Sequence, residues 1–509
     1  MNFEEEIKLL IKSKYPVVFV ETIDEEHTVR QISSAANSLG IVFYRWSVTQ
    51  GLQFEMNENS FYHTSSPAMM LKTALDIVDS GARAVFILKD FHKFLNDAVL
   101  LRFFKDIIAK IKDTAVTIVI IGGEYGVPEE IKPYVSRITG GYPDDREIIY
   151  EINKIAQEFK NSKVKFQMDL SPVELTRLVK TLKGLSILQI RSVINRCVIS
   201  DARLSGHDMP EIEKFKKEIF DKEGCLEYYG SEIPSNIAGF ENLKKWIAQR
   251  KNSVFSGTAA LPPRVPEAMP TAEDSTLPPP KGVLLLGVQG CGKSLAAKVI
   301  AGELGIALYR LDLNRLYSKY IGETEENLRK ALKTVEMLSP VCLWIDEIEK
   351  IFASSSGEID GGVSQRVLGT FLTWMQERKD RNFLAATSNN INGLPAEFLR
   401  KGRFDEIFFA DLPEVPEREE ILRIHLAKRN LNPAEFDLKL LTGNSGGFSG
   451  AEIEQAIISA LYSSSSANER ISTRHVLEQI NLTRPLSIIK SEDINFLRNW
   501  AKERAILPV

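Results

Sequence analysis

The sequence predicts an α/β protein: a parallel sheet with helices on both faces, a phosphate-binding loop at one strand end and a helical lid, preceded by a fainter α/β half with its own helical region. Three observations carry that prediction. Short continuous apolar runs alternate with helical-period stretches between Gly282 and Asp411, the mark of strands buried on both faces. The octapeptide "GVQGCGKS", Gly287–Ser294, stands between one such run and a stretch of strong helix formers. The element order of the first half echoes that of the second.

In chain order, "YPVVFVET", "ARAVFILKDF" and "TIVIIGG" read as strands of a domain over residues 1–145, and 146–230 reads as a helical, lid-like region. After the first strand, where a phosphate loop would follow, stands Ile23-Asp24-Glu25-Glu26, with no glycine or lysine and three carboxylates that repel phosphate. "VFILKDFHKF" keeps Asp90 after a strand, with Phe91 in place of a second carboxylate. The expectation is a degenerate module without nucleotide, serving to stabilise an assembly or dock partners. An unrelated α/β adaptor is the alternative.

Residues 231–412 form the larger part of the second half. Within them, 255–281 hold seven prolines and one aromatic residue, too little apolar surface to offset the entropy of ordering, so a mobile loop is expected. "VLLL", "VCLWI", "FLAAT" and "IFFA" are the strands. Beyond Pro413 the pattern is helical, giving a lid and C-terminal helices over 413–509. "KGLSILQIRSVI" at 183–194 echoes "GGFSGAEIEQAI" at 446–457, with Gly184/Gly447, Ser186/Ser449 and Ile190/Ile453 in register; two unrelated helix starts are the plain alternative.

The 509 residues carry a formal charge of −4, which supplies no global basic field for nonspecific nucleic-acid binding. Cys197, Cys225, Cys291 and Cys342 show no zinc or disulfide spacing, and a reducing compartment is the default. The acidic start "MNFEEEIKLL" is unlike a signal or transit peptide, and no apolar run approaches the ~18 residues of a membrane span. A cytoplasmic protein is expected.

In "GVQGCGKS", the backbone N–H groups of Gly287, Val288, Gln289, Gly290, Cys291 and Gly292 can turn around phosphate, and the helix running on through Leu295 adds the positive end of its dipole. Lys293 would neutralise the β- and γ-phosphates of ATP and Ser294 would ligate Mg²⁺. "VCLWIDEIEK" ends a strand in Asp346-Glu347. Asp346 suits the metal side, and Glu347 stands where a carboxylate can take a proton from an attacking water, which separates a hydrolase from a switch.

Beyond these residues, 235–500 resemble the AAA branch of the AAA+ ATPases: "IPSNIAGFENLKKW" looks like the family's lead-in segment, "LPPPKGVLLLG" its first core strand and "LPAEFLRKGRFDE" its second region of homology. "GVQGCGKS" lacks the usual double proline and resembles the AAA proteins of cyanobacteria and algal plastid genomes, which implies a bacterial cytoplasm or a plastid stroma. The resemblance implies further roles. Asn389 matches the sensor that orients the attacking water, with Asn390 beside it; Arg400 and Arg403 match arginine fingers that reach a neighbour's γ-phosphate, surface arginines being the plain reading. Ile237, Ala238 and the turn "GFSGAE" match adenine contacts. Tyr320-Ile321-Gly322 match a channel triplet that grips an extended chain through an aromatic face, where an ordinary tyrosine would fold back onto its core. "SSSGEIDGG" at 354–362 could flank the same opening. The implied protein is a homo-oligomeric, hexameric ATPase that remodels protein substrates. Its alternatives are a nucleic-acid-binding ring, with Lys319 tracking phosphates, and an ATP-dependent assembly switch. No H-E-x-x-H occurs, which disfavours a metalloprotease.

Overall fold

The computed structural model describes residues 3–57, 59–123, 126–161, 167–222, 224–230, 239–255, 278–316, 323–351, 363–378, 381–400 and 402–506. The chain divides into two units, residues 1–208 and 209–509.

In the first unit, β1 (Val17–Glu21), β2 (Val42–Ser47), β3 (Gly51–Phe54), β4 (Ala84–Lys89), β5 (Val116–Gly122) and β6 (Val135–Thr139) form one sheet in the order β3-β2-β4-β5-β1-β6. All neighbours are parallel except β3, which runs antiparallel at the edge. Successive residues of a strand face opposite ways, and here both faces are apolar. Phe19, Phe86, Leu88, Ile118 and Ile120 pack on one side with the helix Ala98–Ile111. Val18, Val20, Val85, Ile87, Val119 and Ile121 pack on the other with the helices Phe3–Lys12 and Glu25–Ser38. A side chain so buried contributes about 1.5–3 kcal/mol, which is why these strands read as unbroken apolar runs. The helices Asp145–Asn161, Pro172–Leu182 and Ile187–Asp201 follow, with a small parallel pair, β7 (Gln167–Asp169) and β8 (Arg203–Ser205).

In the second unit, β9 (Leu226–Gly230), β10 (Gly282–Gly287), β11 (Ala307–Leu311), β12 (Val341–Ile345), β13 (Phe383–Ser388) and β14 (Glu406–Ala410) form a sheet in the order β14-β10-β13-β12-β11-β9. Reading from β6 and from β14, the five parallel strands have the same order in both sheets, and each ends in an antiparallel edge strand. The two halves therefore share one strand topology.

Residues 146–230, expected to form one helical, lid-like region, are divided. The helix Met209–Lys222 and β9 belong to the second unit, where Leu226 and Tyr228 point into the core and Arg310 on β11 pairs with Glu227 at 2.7 Å. That alternation is a half-buried edge strand rather than a helix face.

The lid of the second unit packs Leu422, Leu426, Leu441, Ile453, Ile457, Ala460, Val476 and Ile480 into its own core. The local repeat is structural. Gly184 and Gly447 are both left-handed, with φ of 86° and 77°. Ser186 and Ser449 each cap a helix in a reciprocal box with Gln189 and Glu452, and Ile190 and Ile453 are fully buried. Among the described residues, no helix is long and apolar enough to cross a membrane.

Candidate active site

β10 ends at Gly287, where a Cβ would lie 2.1 Å from the Ala410 carbonyl oxygen on β14, so only glycine lets the backbone leave the sheet there. The chain then turns through Val288–Cys291 to Gly292, whose φ of 79° precedes the helix Lys293–Leu304 without a side-chain cap. The helix amino end is left open toward the loop, the arrangement that takes an anion.

Lys293 lies buried inside this turn, its Nζ donating to the carbonyl oxygens of Gly287 at 2.9 Å and Val288 at 2.6 Å. Burial pushes its ammonium down to about 8, against the pull of neighbouring Glu349, Asp346 and Glu347. Burial likewise pushes the Cys291 thiol up to about 12. Ser294 Oγ donates to Asp346 Oδ1 at 3.1 Å, so the two groups expected on the metal side already meet.

Thr387 on β13 donates to the same Asp346 oxygen at 2.6 Å and accepts the Glu347 N–H at 3.0 Å, fixing the Asp346 carboxylate and the Glu347 backbone to the central strand. Glu347 has φ 51°, a left-handed backbone that lifts its side chain off the strand line. Its Oε1 accepts from Asn389 Nδ2 at 2.7 Å, and its carboxylate pairs with Lys350. Asn390, by contrast, turns its side chain back to accept the Asn392 N–H, so Asn389 is the asparagine at the site. The Asn389 N–H itself donates to Glu349 Oε1 at 2.9 Å.

A cavity of about 850 Å³ adjoins these groups and reaches into the lid. Gln289, Gly290, Leu295, Asp346, Glu347 and Asn389 line one side, and Ile421, Ile424, His425 and Ala451 of the lid line the other. Ala451 N–H donates to the Gly290 carbonyl at 3.2 Å, tying the lid helix start to the loop.

Arg400 is exposed beyond the short turn Ala396–Leu399, and Arg403 is half-buried with its Nη1 enclosed and unmatched among the described residues. Neither lines the cavity of its own chain among the residues above. Ile237, Ala238, the triplet Tyr320-Ile321-Gly322 and the segment 354–362 lie outside the described residues, as does most of the proline-rich stretch. Sequence reasoning missed Thr387, Glu349, Lys350 and His425. Glu349 had a signal, an acidic residue one short turn past Glu347.

Comparison with known proteins agrees with this geometry. Residues 283–412 match the model for the ATPase family associated with various cellular activities (AAA). Residues 3–140 and 146–223 match the N-terminal and second domains of SpoVK-like AAA ATPases. The chain is 34% identical over 511 residues to the "Uncharacterized AAA domain-containing protein ycf46" of Trieres chinensis, covering 99% of this chain and 98% of that one. The chain belongs to the ycf46 family of AAA ATPases. Its Guillardia theta relative of the same name is 35% identical over 98% of this chain and 95% of its own. The "ATPase family protein 2 homolog" of Caenorhabditis elegans is 31% identical over 44% of this chain and 30% of its own. Full-length coverage by ycf46 relatives takes in both units, whereas the nematode match covers less than half the chain.

Proposed function

We propose that this ycf46-family chain hydrolyses ATP in a homo-oligomeric ring, a hexamer, and uses the turnover to remodel protein substrates through a central channel. The observation that carries this reading is the Asn389–Glu347 hydrogen bond placed beside the Ser294–Asp346 contact and the buried Lys293. A binding switch needs the cradle alone; a carboxylate held by a sensor amide next to the metal-side pair is the equipment for hydrolysis.

The residues present fit ATP with Mg²⁺. Lys293 already directs its Nζ to carbonyl oxygens inside the loop, and a phosphate would take over those contacts. Ser294 and Asp346 would hold the metal, with oxygen donors suited to magnesium. Bound magnesium supplies charge neutralisation at the β- and γ-phosphates. Glu347 takes the proton of the attacking water, Asn389 keeps Glu347 and that water aligned, and the lid excludes bulk solvent around His425. Arg400 and Arg403 act on the neighbouring subunit's nucleotide, worth about 10³–10⁵ in rate for such fingers. Tyr320, Ile321 and Gly322 grip the substrate, Ile237 and Ala238 contact adenine, and the protein works in a bacterial cytoplasm or plastid stroma.

The test is turnover of the assembled chain, followed by capture with Glu347→Gln under ATP. Retained polypeptides, with turnover stimulated by them, support the remodeller. Retained DNA or RNA with salt-dependent affinity supports the nucleic-acid ring instead, and assembled rings with no turnover leave the switch.

A further inference from the structure

The first unit holds the frame of a nucleotide site with its charges exchanged. Asp90 follows β4 with φ 56°, and Glu347 follows β12, the matching strand, with φ 51°. Each opens a short 3-10 turn, Phe91–Phe94 and Ile348–Ile351. That register sets Asp90 against Glu347, not against Asp346 as the sequence suggests, and puts Lys89 at the place of Asp346. By the same logic Asp24, the N-cap of the helix Glu25–Ser38, matches Gly292, and Glu25 and Glu26 stand where Lys293 and Ser294 stand. The second unit joins Ser294 to Asp346; the first joins Glu26 to Lys89 by an ion pair, with Glu25 at 3.7 Å from the same ammonium.

Asp24 is 6% exposed. Its Oδ1 accepts the His27 N–H at 3.2 Å and its Oδ2 accepts the Ile187 N–H at 3.0 Å. His27 lies in the first turn of one helix and Ile187 opens another, Ile187–Asp201, so one carboxylate receives two helix amino ends, where positive dipole ends favour an anion. Ser186, capping that second helix, matches Ser449 of the lid. The turn is closely packed at Thr22: Asp24 N–H donates to Thr22 Oγ1 at 3.1 Å, and a Cβ on Gly140 would lie 2.8 Å from that same oxygen.

We infer that Asp24 and Lys89 are built-in stand-ins for a phosphate and its metal. Asp24 fastens the helix Ile187–Asp201 to the end of β1, Lys89 on β4 fastens the helix Glu25–Ser38 through Glu25 and Glu26, and this unit takes no nucleotide, so each chain binds one ATP. The count of one rests on the function proposed above; the internal bridge stands without it. In the second unit the corresponding junction carries no charge and is one backbone hydrogen bond, Ala451 N–H to the Gly290 carbonyl at 3.2 Å.

The experiment uses the full chain with two variants. Asp24→Ser keeps a hydroxyl cap for the His27 N–H but falls short of Ile187, and Asp24→Gly vacates the place altogether. Amide hydrogen exchange at Ile187–Gln189 is expected to rise roughly ten- to a hundredfold in both, the range for losing a charge-assisted hydrogen bond. Inorganic phosphate is expected to restore protection saturably in Asp24→Gly and to leave the parent chain unchanged. Unchanged exchange in Asp24→Ser overturns the bridge, and loosening that phosphate does not reverse overturns the anion assignment. Two ATP analogues bound per parent chain overturn the closed site, whereas none bound while the bridge behaves as expected counts against the ATPase reading alone.

Discussion

Asn389 at the end of β13 donates its Nδ2 to Glu347 Oε1 just past β12 across 2.7 Å, so the proposed base and its orienting amide are joined directly. Glu347→Gln leaves an acceptor oxygen for Asn389 but removes the proton acceptor. Turnover is expected to fall by about 10²–10⁴, the usual share of general-base catalysis, with ATP affinity retained. Steady-state turnover and isothermal titration on the same preparation check both halves.

Glu349 acts as a positioning residue through its Oε1, which accepts the Asn389 N–H. Glu349→Ala is expected to lower kcat with little change in ATP affinity, and Glu349→Gln, which keeps an acceptor, to restore it. In a double-mutant cycle with Asn389→Ala the two losses should fall well short of adding, because both act through one contact. Additive losses would separate the residues.

Lys293 gives a pH dependence with a definite sign. Burial holds its folded value near 8, against 10.5 for an ordinary lysine. Between those values the unfolded chain binds more protons, so this group's contribution to stability rises with pH there, and its penalty is fully present below about 8. Phosphate favours the ammonium, so ATP binding above about pH 8 should take up a proton and weaken as pH rises. Titrations in buffers of differing ionisation enthalpy measure the uptake; an affinity flat from roughly pH 7 to roughly pH 9.5 would contradict it.

Arg400 and Arg403 should part company in stability. Arg400 is exposed, so Arg400→Ala is expected to cut turnover and leave Tm unchanged. Arg403 is half-buried with Nη1 enclosed, so Arg403→Ala should lower both. In mixed assemblies, either variant combined with Glu347→Gln subunits should recover part of the activity, since each supplies what the other lacks at one interface.

Much of the fold was legible because β10, β12, β13 and β14 are covered on both faces and leave uninterrupted apolar runs. β11 and β9 escaped for the complementary reason. "ALYRL" and "LEYYG" each carry a charge mid-strand, and Arg310 and Glu227 satisfy one another only once the two strands lie side by side. β2, "VFYRWS", was hidden in the same way by Arg45. The phosphate loop and Asp346-Glu347 are local motifs and could be read directly. Thr387 and Glu349 act on partners 40 or so residues away, across strands whose pairing no local pattern states. The alignment of Asp90 slipped by one because a left-handed residue at the strand end is invisible in the letters.

The most direct measurement of the central claim, that neighbouring copies build each ATP site together, is turnover per chain followed across protein concentration alongside assembly state by analytical ultracentrifugation. Turnover per chain should climb steeply with the population of assembled rings and vanish at dilutions where only single chains sediment. Full turnover from solitary chains at every concentration would contradict it.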